Sequence, residues 1–298
     1  MNREKQRKAR PAERGCAWAV TFLLMIFLTL TILSFTALRM ITSAGLHLSV
    51  AADDSLLDHQ MQEICANIDL MAAEYGFPAD EVKATVSRDE LKEFNRKTAE
   101  WWTRLLTEGE GGVNPRWYSG SIEDIVYAAA GDQLLREEEP QTVVTELTKM
   151  IEYTVFPIRE TTVAFGSKFV KDRVDIKGII RSVQKLPMLC LMASLACAGL
   201  IALLLGREPF LSVRHYGTAA AASGLTVLAA CITFLAVRPL TMITEASAGL
   251  AEEFGTLTDK AGAGMGAAAV FLLAAGYLCL ALYRRKAGRT SRDAEQEA

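Results

Sequence analysis

The run "AWAVTFLLMIFLTLTILSFTAL" (residues 17–38) contains no charged residue. It holds about the 20 residues that an α-helix needs to cross the hydrocarbon core of a bilayer. Three further runs share this length and this lack of charge: 186–205, 217–237 and 261–283. Backbone groups in lipid must form hydrogen bonds within their own segment, so each run is predicted to be a transmembrane helix.

The composition is intermediate between those of soluble and fully membrane-embedded proteins. Hydrophobic residues make up 51% of the 298 residues, charged residues make up 22%, and the mean hydropathy is +0.19. We therefore expect a membrane protein with a sizeable part outside the lipid.

The first apolar run has two features of a signal peptide. It follows the basic stretch "MNREKQRKARPAERG" and precedes the small residues of "ITSAG". The apolar region of a cleavable signal peptide is roughly 7–15 residues long, and residues 17–38 exceed that length. This favours an uncleaved anchor, with cleavage after Ala44 as the alternative.

Lysine and arginine are unevenly distributed around the runs. They are frequent before the first run, between the second and third, and after the fourth, whereas the connector at 238–260 is acidic. Cytoplasmic flanks carry the excess of Lys and Arg, so both termini are predicted in the cytoplasm and residues 39–185 outside the cell membrane. The outer segment is itself acidic, which argues against nucleic-acid binding.

The predicted fold class is an all-α membrane protein with four transmembrane helices and a helical-bundle extracytoplasmic domain inserted between helices 1 and 2. The predicted segments, in order, are a cytoplasmic N-terminus (1–16), helix 1 (17–38), the outer domain (39–185), helix 2 (186–205), a cytoplasmic loop (206–216), helix 3 (217–237), a short outer loop (238–260), helix 4 (261–283) and a cytoplasmic tail (284–298).

Apolar residues of the inserted segment recur at helical spacing. Beyond Ser55 they form one stripe, after which Gly76 is expected to end the helix: Leu57, Met61, Ile64, Ile68, Met71 and Tyr75. Ser87 and Glu90 form a capping box for the next long helix. Further helices are predicted in "PADEVKATV", from about Ser121, from Pro140, and through Phe165, Phe169, Ile176 and Ile180 into the second run.

Three of the four tryptophans lie within 94–120. Trp101 is on an apolar stripe and is expected in the core, whereas Trp102 is one position off it. Arg116, Trp117 and Tyr118 lie in a loop rich in Gly and Pro, and loops often carry function. We predict a ligand- or partner-binding site at Arg116, Trp117, Tyr118 and Trp102. Insertion of the aromatic pair into the lipid headgroup region and packing of the loop onto the bundle are the alternatives.

No arrangement of residues indicates catalysis. "ADDSLLDH" (residues 52–59) could hold a cation, but Asp residues at a helix start are explained by capping. The three histidines are far apart in sequence, and Cys65 is the one cysteine of the inserted segment, so neither a disulfide nor a zinc site is expected there. We predict a non-enzymatic protein without cofactor or metal.

Small residues in the third and fourth runs have the spacing of close helix packing. Ala220 and Gly224 in one run, and Gly262 and Gly266 in the other, are separated by three residues. These faces predict pairing of the two helices with each other or with a partner subunit, which includes a homo-oligomer. The connector before the fourth run carries a stripe for a short helix at the outer interface or capping the outer domain: Leu240, Ile243, Leu250, Phe254 and Leu257.

Two resemblances bear on function. "GFPADEVKATVSRDELKEF" (residues 76–94) resembles a pattern in uncharacterised membrane proteins of Gram-positive bacteria, in which a helical outer loop follows the first span. The order of spans and loops is similar to that of the cell-division permease family, which couples to an ABC ATPase. The second resemblance implies that the loop at 206–217 contacts an ATPase, although the outer domain of that family mixes strands and helices.

The sequence therefore predicts a bacterial membrane protein whose outer domain binds a ligand or another membrane or envelope protein. Its role would be sensory, scaffolding or in assembly. The alternative is a permease-type subunit of an ABC-like complex. Within the spans no ionisable residue is expected, which disfavours a carrier.

Overall fold

The computed structural model describes residues 11–108, 115–117, 120–132, 134–135, 139–155, 176–206, 208–238 and 248–296. Within these ranges the protein is helical and has no strand. The helices are α1 (Pro11–Thr42), α2 (Ala44–Ala51), α3 (Asp54–Tyr75), α4 (Ala79–Thr85), α5 (Arg88–Glu108), α6 (Gly120–Gly131), α7 (Pro140–Val155), α8 (Ile176–Leu204), α9 (Pro209–Val237) and α10 (Ala248–Gln296). The prediction of an all-α protein is confirmed.

Four helical segments are long and apolar enough to cross a membrane, as predicted. They are Glu13–Thr42, Arg181–Leu204, Pro209–Val237 and Glu253–Lys286. Each extends beyond the apolar run that predicted it at one end or at both, because charged and polar residues continue the helix past the uncharged stretch. Pro187 lies within α8 without ending it.

The chain forms two compact units. The first consists of Met1–Arg39, Arg181–Val237 and Ala261–Ala298, and therefore holds most of the four apolar segments. One of its cores joins Ala17, Val20 and Leu24 to Ile201 and Leu205. Large side chains such as Phe22, Leu203 and Phe271 are exposed on the surface of this unit. An exposed apolar surface of this extent is expected where lipid covers the protein.

The second unit consists of Met40–Ile180 together with Arg238–Lys260. Its core combines apolar residues from α3 to α7, of which Leu57, Ile64, Ile68, Leu91 and Leu147 are almost completely buried. Three of these belong to the stripe predicted beyond Ser55, so that stripe faces the core. The stripe of α5 buries Leu91 and Phe94 in the same core.

The predicted helix ends are found in the second unit. Gly76 follows α3 with φ 90°, a left-handed conformation that glycine adopts without the penalty of a Cβ. Ser87 precedes α5, and its hydroxyl oxygen accepts the backbone N–H of Glu90 at 3.2 Å. Both signals are local, which is why the sequence alone predicted them.

Helix α2 was not predicted from the sequence. Ser43 caps it by accepting the backbone N–H of Leu46 at 3.3 Å. Leu46 and Val50 are buried in a small core with Leu56 of α3 and Leu257 of α10. A helix of this length shows too few turns for its apolar period to be recognised in the sequence.

The connector at 238–260 belongs to the second unit and is not merely a short loop between spans. Leu257 and the partly buried Phe254 pack against the core formed by α2 and α3. Lys260 binds Asp53, with Nζ 2.8 Å from Oδ2. The sequence analysis assigned residues 238–260 to a separate short outer loop and gave capping of the outer domain as one of two positions for its helix. Of the predicted stripe, Leu240 and Ile243 are outside the described residues, as are Phe165 and Phe169 of the predicted last outer helix.

Candidate functional site

Trp117 and Arg116 lie side by side in the second unit, but their side chains have different surroundings. Trp117 is 6% exposed and belongs to the core, where its ring meets that of Phe94 edge-on at a centroid distance of 5.4 Å. Arg116 is exposed over 68% of its side chain. The segment 115–117 is therefore anchored by the indole of Trp117, and the guanidinium of Arg116 faces solvent.

Glu152 of α7 fastens this segment to the bundle. Its carboxylate is almost fully buried; one oxygen accepts the backbone N–H of Trp117 at 2.9 Å, and the other lies 3.1 Å from Nη1 of Arg116. A buried carboxylate is tolerated only where such donors surround it. Glu152 thus fixes the position of both residues, which is a role that the sequence did not reveal.

An open cleft of about 390 Å³ lies beside this anchored segment. Its lining combines two aromatic rings with charged side chains of α5 and with Arg116. The lining residues are Asp89, Glu90, Glu93, Phe94, Lys97, Arg116 and Trp117. We call it the α5 cleft. Pockets of a few hundred Å³ with a small number of polar groups are the usual form of a binding site.

The charges around the α5 cleft are only partly neutralised. Arg96 forms hydrogen bonds with Glu93 and lowers the pKa of that carboxyl to about 2, and Lys97 adds to the effect from 3.6 Å. Asp89 and Glu90 form no ion pair with any described residue. The cleft therefore offers two available carboxylates beside an aromatic floor.

The other two predicted site residues are Tyr118 and Trp102. Tyr118 lies outside the described residues. Trp102 is partly buried and lines a different, smaller cavity with His47, Gln60, Asn95 and Glu253. Trp101 is 8% exposed, as its place on the stripe predicted.

That smaller cavity is lined by both polar and apolar residues and has a volume of about 20 Å³. The side-chain amide of Asn95 donates to Gln60 at 2.8 Å, and the amide of Gln60 donates to the carbonyl oxygen of Val155 at 3.1 Å. Oε2 of Glu253 is buried without a hydrogen-bond partner among the described residues. Burial lowers the pKa of His47, which also lines this cavity. The space suits about one water molecule and not a larger ligand.

The acidic residues at the start of α3 are used structurally. Arg88 binds the carboxylates of both Asp54 and Asp58, and Asp53 caps the helix by accepting the backbone N–H of Ser55 at 3.2 Å. Nε2 of His59 lies 3.9 Å from Oε2 of Glu63. In the part of the chain that the structure describes, no three metal-ligating side chains are grouped.

Glycines bring α9 and α10 into close contact within the first unit. A Cβ on Gly224 would lie 2.8 Å from Leu273, and one on Gly262 would lie 2.5 Å from Leu235. A Cβ on Gly266 would have only an ordinary contact, 3.7 Å from Cys231, and Ala220 is partly buried. The sequence did not single out Gly276, whose Cβ would lie 2.6 Å from the backbone nitrogen of Ala221.

His215 was missed because it was assigned to the loop at 206–217. The structure begins α9 at Pro209, and the imidazole is 2% exposed, with Nδ1 2.7 Å from the hydroxyl oxygen of Thr21. Thr21 already donates its single hydroxyl proton to the carbonyl oxygen of Ala17, so Nδ1 of His215 is the donor. Ser212 is also buried, whereas Pro209, Phe210 and Arg214 of this stretch are exposed.

Three polar contacts join α1 to α9 and to the residue just before it, and the two partners are always the same number of residues apart. Arg14 meets Glu208 at 3.3 Å, Thr21 meets His215, and Thr29 meets Ser223 at 3.0 Å. The partners are 194 residues apart in every pair, so α1 and α9 run in the same direction. Successive contacts are separated by about two helical turns, which is the spacing of a single helix face.

Comparison of the chain with protein-family models, with curated proteins and with solved structures finds no match.

Proposed function

We propose that the second unit is an extracytoplasmic binding domain that engages another membrane or envelope protein through the α5 cleft. In this proposal the four apolar helices anchor the domain and the protein carries out no reaction. The distribution of Lys and Arg along the chain supports this orientation, because most of the Lys and Arg residues that flank the spans lie before the first span, between the second and third, and after the fourth.

The observation that carries the proposal is the combination of free carboxylates and aromatic rings in one open cleft. Asp89 and Glu90 supply negative charge, while Phe94 and Trp117 supply apolar surface. A cationic side chain with an apolar stem fits such a surface, because its stem covers the rings while its charge meets the carboxylates. The partner segment is therefore basic and partly apolar.

The anchoring by Glu152 makes the cleft suited to recognition. Trp117 is held through its backbone N–H as well as by core packing, so one wall of the cleft is fixed before binding. A fixed wall reduces the entropy that is lost when a complex forms.

Site-specific photo-crosslinking in intact cells tests the proposal. A photoreactive residue at Lys97, inside the cleft, is expected to give a discrete adduct, whereas the same residue at the exposed Asp124 of α6 is not. Asp89→Asn combined with Glu90→Gln should weaken the adduct at Lys97 without changing the amount of protein. Identical adducts at both positions, or none at Lys97, would remove the cleft as the binding site.

Orientation is tested separately with a reporter fused after Asp132. Alkaline phosphatase is expected to be active at this position and green fluorescent protein is not, because only the former matures outside the cytoplasm. The reverse result would place the second unit in the cytoplasm and contradict the proposal.

A further inference from the structure

A groove in the first unit runs between α1 and α10. It has a volume of about 230 Å³ and is mainly apolar, with Ile32 and Phe35 on one wall and Ala261, Gly264 and Ala268 on the other. We call it the α1–α10 groove. All of these residues lie in the candidate membrane spans Glu13–Thr42 and Glu253–Lys286, so the groove opens where lipid chains are present.

The small residues of α10 create this space. A Cβ added to Gly264 would meet only Nη1 of Arg39, at 3.5 Å. The bulkier Phe35 is 58% exposed at the edge of the groove. The volume exceeds the roughly 150 Å³ of an engineered apolar cavity that binds benzene, so part of a hydrocarbon chain can enter.

One end of the groove is cationic. Arg39 is exposed in the last turn of α1, and it forms no ion pair with a described carboxylate. Thr36, which also lines the groove, lies three residues earlier and therefore on the same face of the helix. A guanidinium and a hydroxyl at the end of an apolar channel match a phosphate that carries a hydrocarbon chain.

We propose that the α1–α10 groove binds an anionic phospholipid, with one acyl chain between the two helices and the phosphate on Arg39. The occupant is a lipid because the apolar part of the groove is several times larger than its charged end. Arg39 supplies selectivity for the headgroup, and the small residues of α10 supply space for the chain. This proposal is independent of the function proposed for the second unit.

Lipid titration of the delipidated full-length protein, followed by native mass spectrometry, tests the proposal. The first phosphatidylglycerol is expected to bind about tenfold more tightly than the first phosphatidylcholine, a ratio that corresponds to about 1.4 kcal/mol. Arg39→Gln should abolish this preference and Arg39→Lys should retain part of it. Arg181→Gln is the matched control, because Arg181 is an exposed arginine at the end of another span and does not line the groove.

The channel is tested with Ala268→Leu, which fills the groove and should weaken binding of both lipids by about tenfold. Ala267→Leu is its control, because Ala267 is exposed and outside the groove. Circular dichroism and tryptophan fluorescence establish that each variant is folded.

Four outcomes would overturn the proposal. Equal losses for Arg39→Gln and Arg181→Gln would indicate a general effect of surface charge. Unchanged lipid binding in folded Ala268→Leu would exclude the channel, and displacement of the lipid by equimolar inorganic phosphate would exclude a chain-dependent site. The fourth outcome is a dimer, detected by native mass spectrometry, that is lost only in Ala268→Leu. That result would mean that a second copy of the chain, and not a lipid, occupies the groove.

Discussion

Replacement of Glu152 by alanine provides a direct measure of how the segment at 115–117 is held. The substitution removes the acceptor of the buried Trp117 N–H and the partner of Arg116. A buried N–H left without an acceptor costs about 1–3 kcal/mol. The ion pair adds less than about 1 kcal/mol, because Arg116 is 68% exposed. We therefore expect Glu152→Ala to lower the free energy of unfolding of the second unit by about 2–3 kcal/mol.

Glu152→Gln separates these two contributions. The amide oxygen still accepts the N–H of Trp117, and only the charge opposite Arg116 is lost, so the expected cost is about 1 kcal/mol. Arg116→Gln should cost a similar amount. The free energy of unfolding is therefore expected to be lowest for Glu152→Ala, higher for the two Gln variants and highest for the unsubstituted protein. This order follows from the two bonds that the carboxylate forms.

Urea unfolding of the full-length protein in detergent micelles measures these changes. Trp18 is the one tryptophan in the first unit, so a Trp18→Phe background restricts the fluorescence signal to the second unit. With a urea m-value of about 2 kcal/mol/M, Glu152→Ala should shift the midpoint by about 1–1.5 M. A shift no larger than that of Glu152→Gln would show that the bond to the Trp117 N–H contributes nothing, and the reasoning would fail.

Three further predictions concern pH and helix packing. Burial lowers the pKa of His47 from 6.5, and the Lys260 ammonium lowers that of Asp53 from 3.8. The contributions of His47 and Asp53 to the free energy of unfolding are therefore fully present above the pKa values of these groups in the unfolded chain. They are lost as the pH falls through the pKa values in the folded protein. Thermal melts should show stability declining below pH 6.5 and again below about pH 4, with His47→Gln flattening the first decline and Asp53→Asn the second; unaltered profiles would contradict this. Gly224→Ala should destabilise the packing of α9 on α10, because its Cβ would lie 2.8 Å from Leu273, while Gly266→Ala, with 3.7 Å to its nearest neighbour, should not; equal melting temperatures in detergent would refute the distinction. Thr21→Val and His215→Phe should each lower stability by about 0.6–1.7 kcal/mol, and a double-mutant cycle without coupling would show that their hydrogen bond is not formed.

Features that depend on neighbouring residues in the sequence were predicted correctly. The stripe through Leu57 and Ile64, the stop at Gly76 and the cap at Ser87 each require only a few residues, and all three are present in the structure. The four apolar runs likewise predicted four helices long enough to cross a membrane. In each case the physical cause is contained in a short segment.

Features that depend on distant segments were not predicted. Nothing near Glu152 in the sequence indicates that its carboxylate binds a backbone N–H 35 residues earlier. The contact of Leu257 with α2 joins segments that are separated by two of the spans. The sequence offered capping of the outer domain as one position for this connector, but it did not indicate which helix the connector contacts. His215 was misplaced because the limits of a span were drawn where charge begins, whereas the helix continues through Arg214 to Pro209.

The parallel direction of α1 and α9 and the chain segments that form the second unit are consistent with the same topology. The parallel contacts of α1 with α9 require that α8 returns across the first unit between them. With such a return, the connector after α1 and the connector after α9 leave the spans on the same side. These two connectors are the segments that form the second unit, and Lys260 and Asp53 join them directly. The topology is thereby reduced to a single choice between two orientations, so one reporter position in the second unit determines the side of every connector.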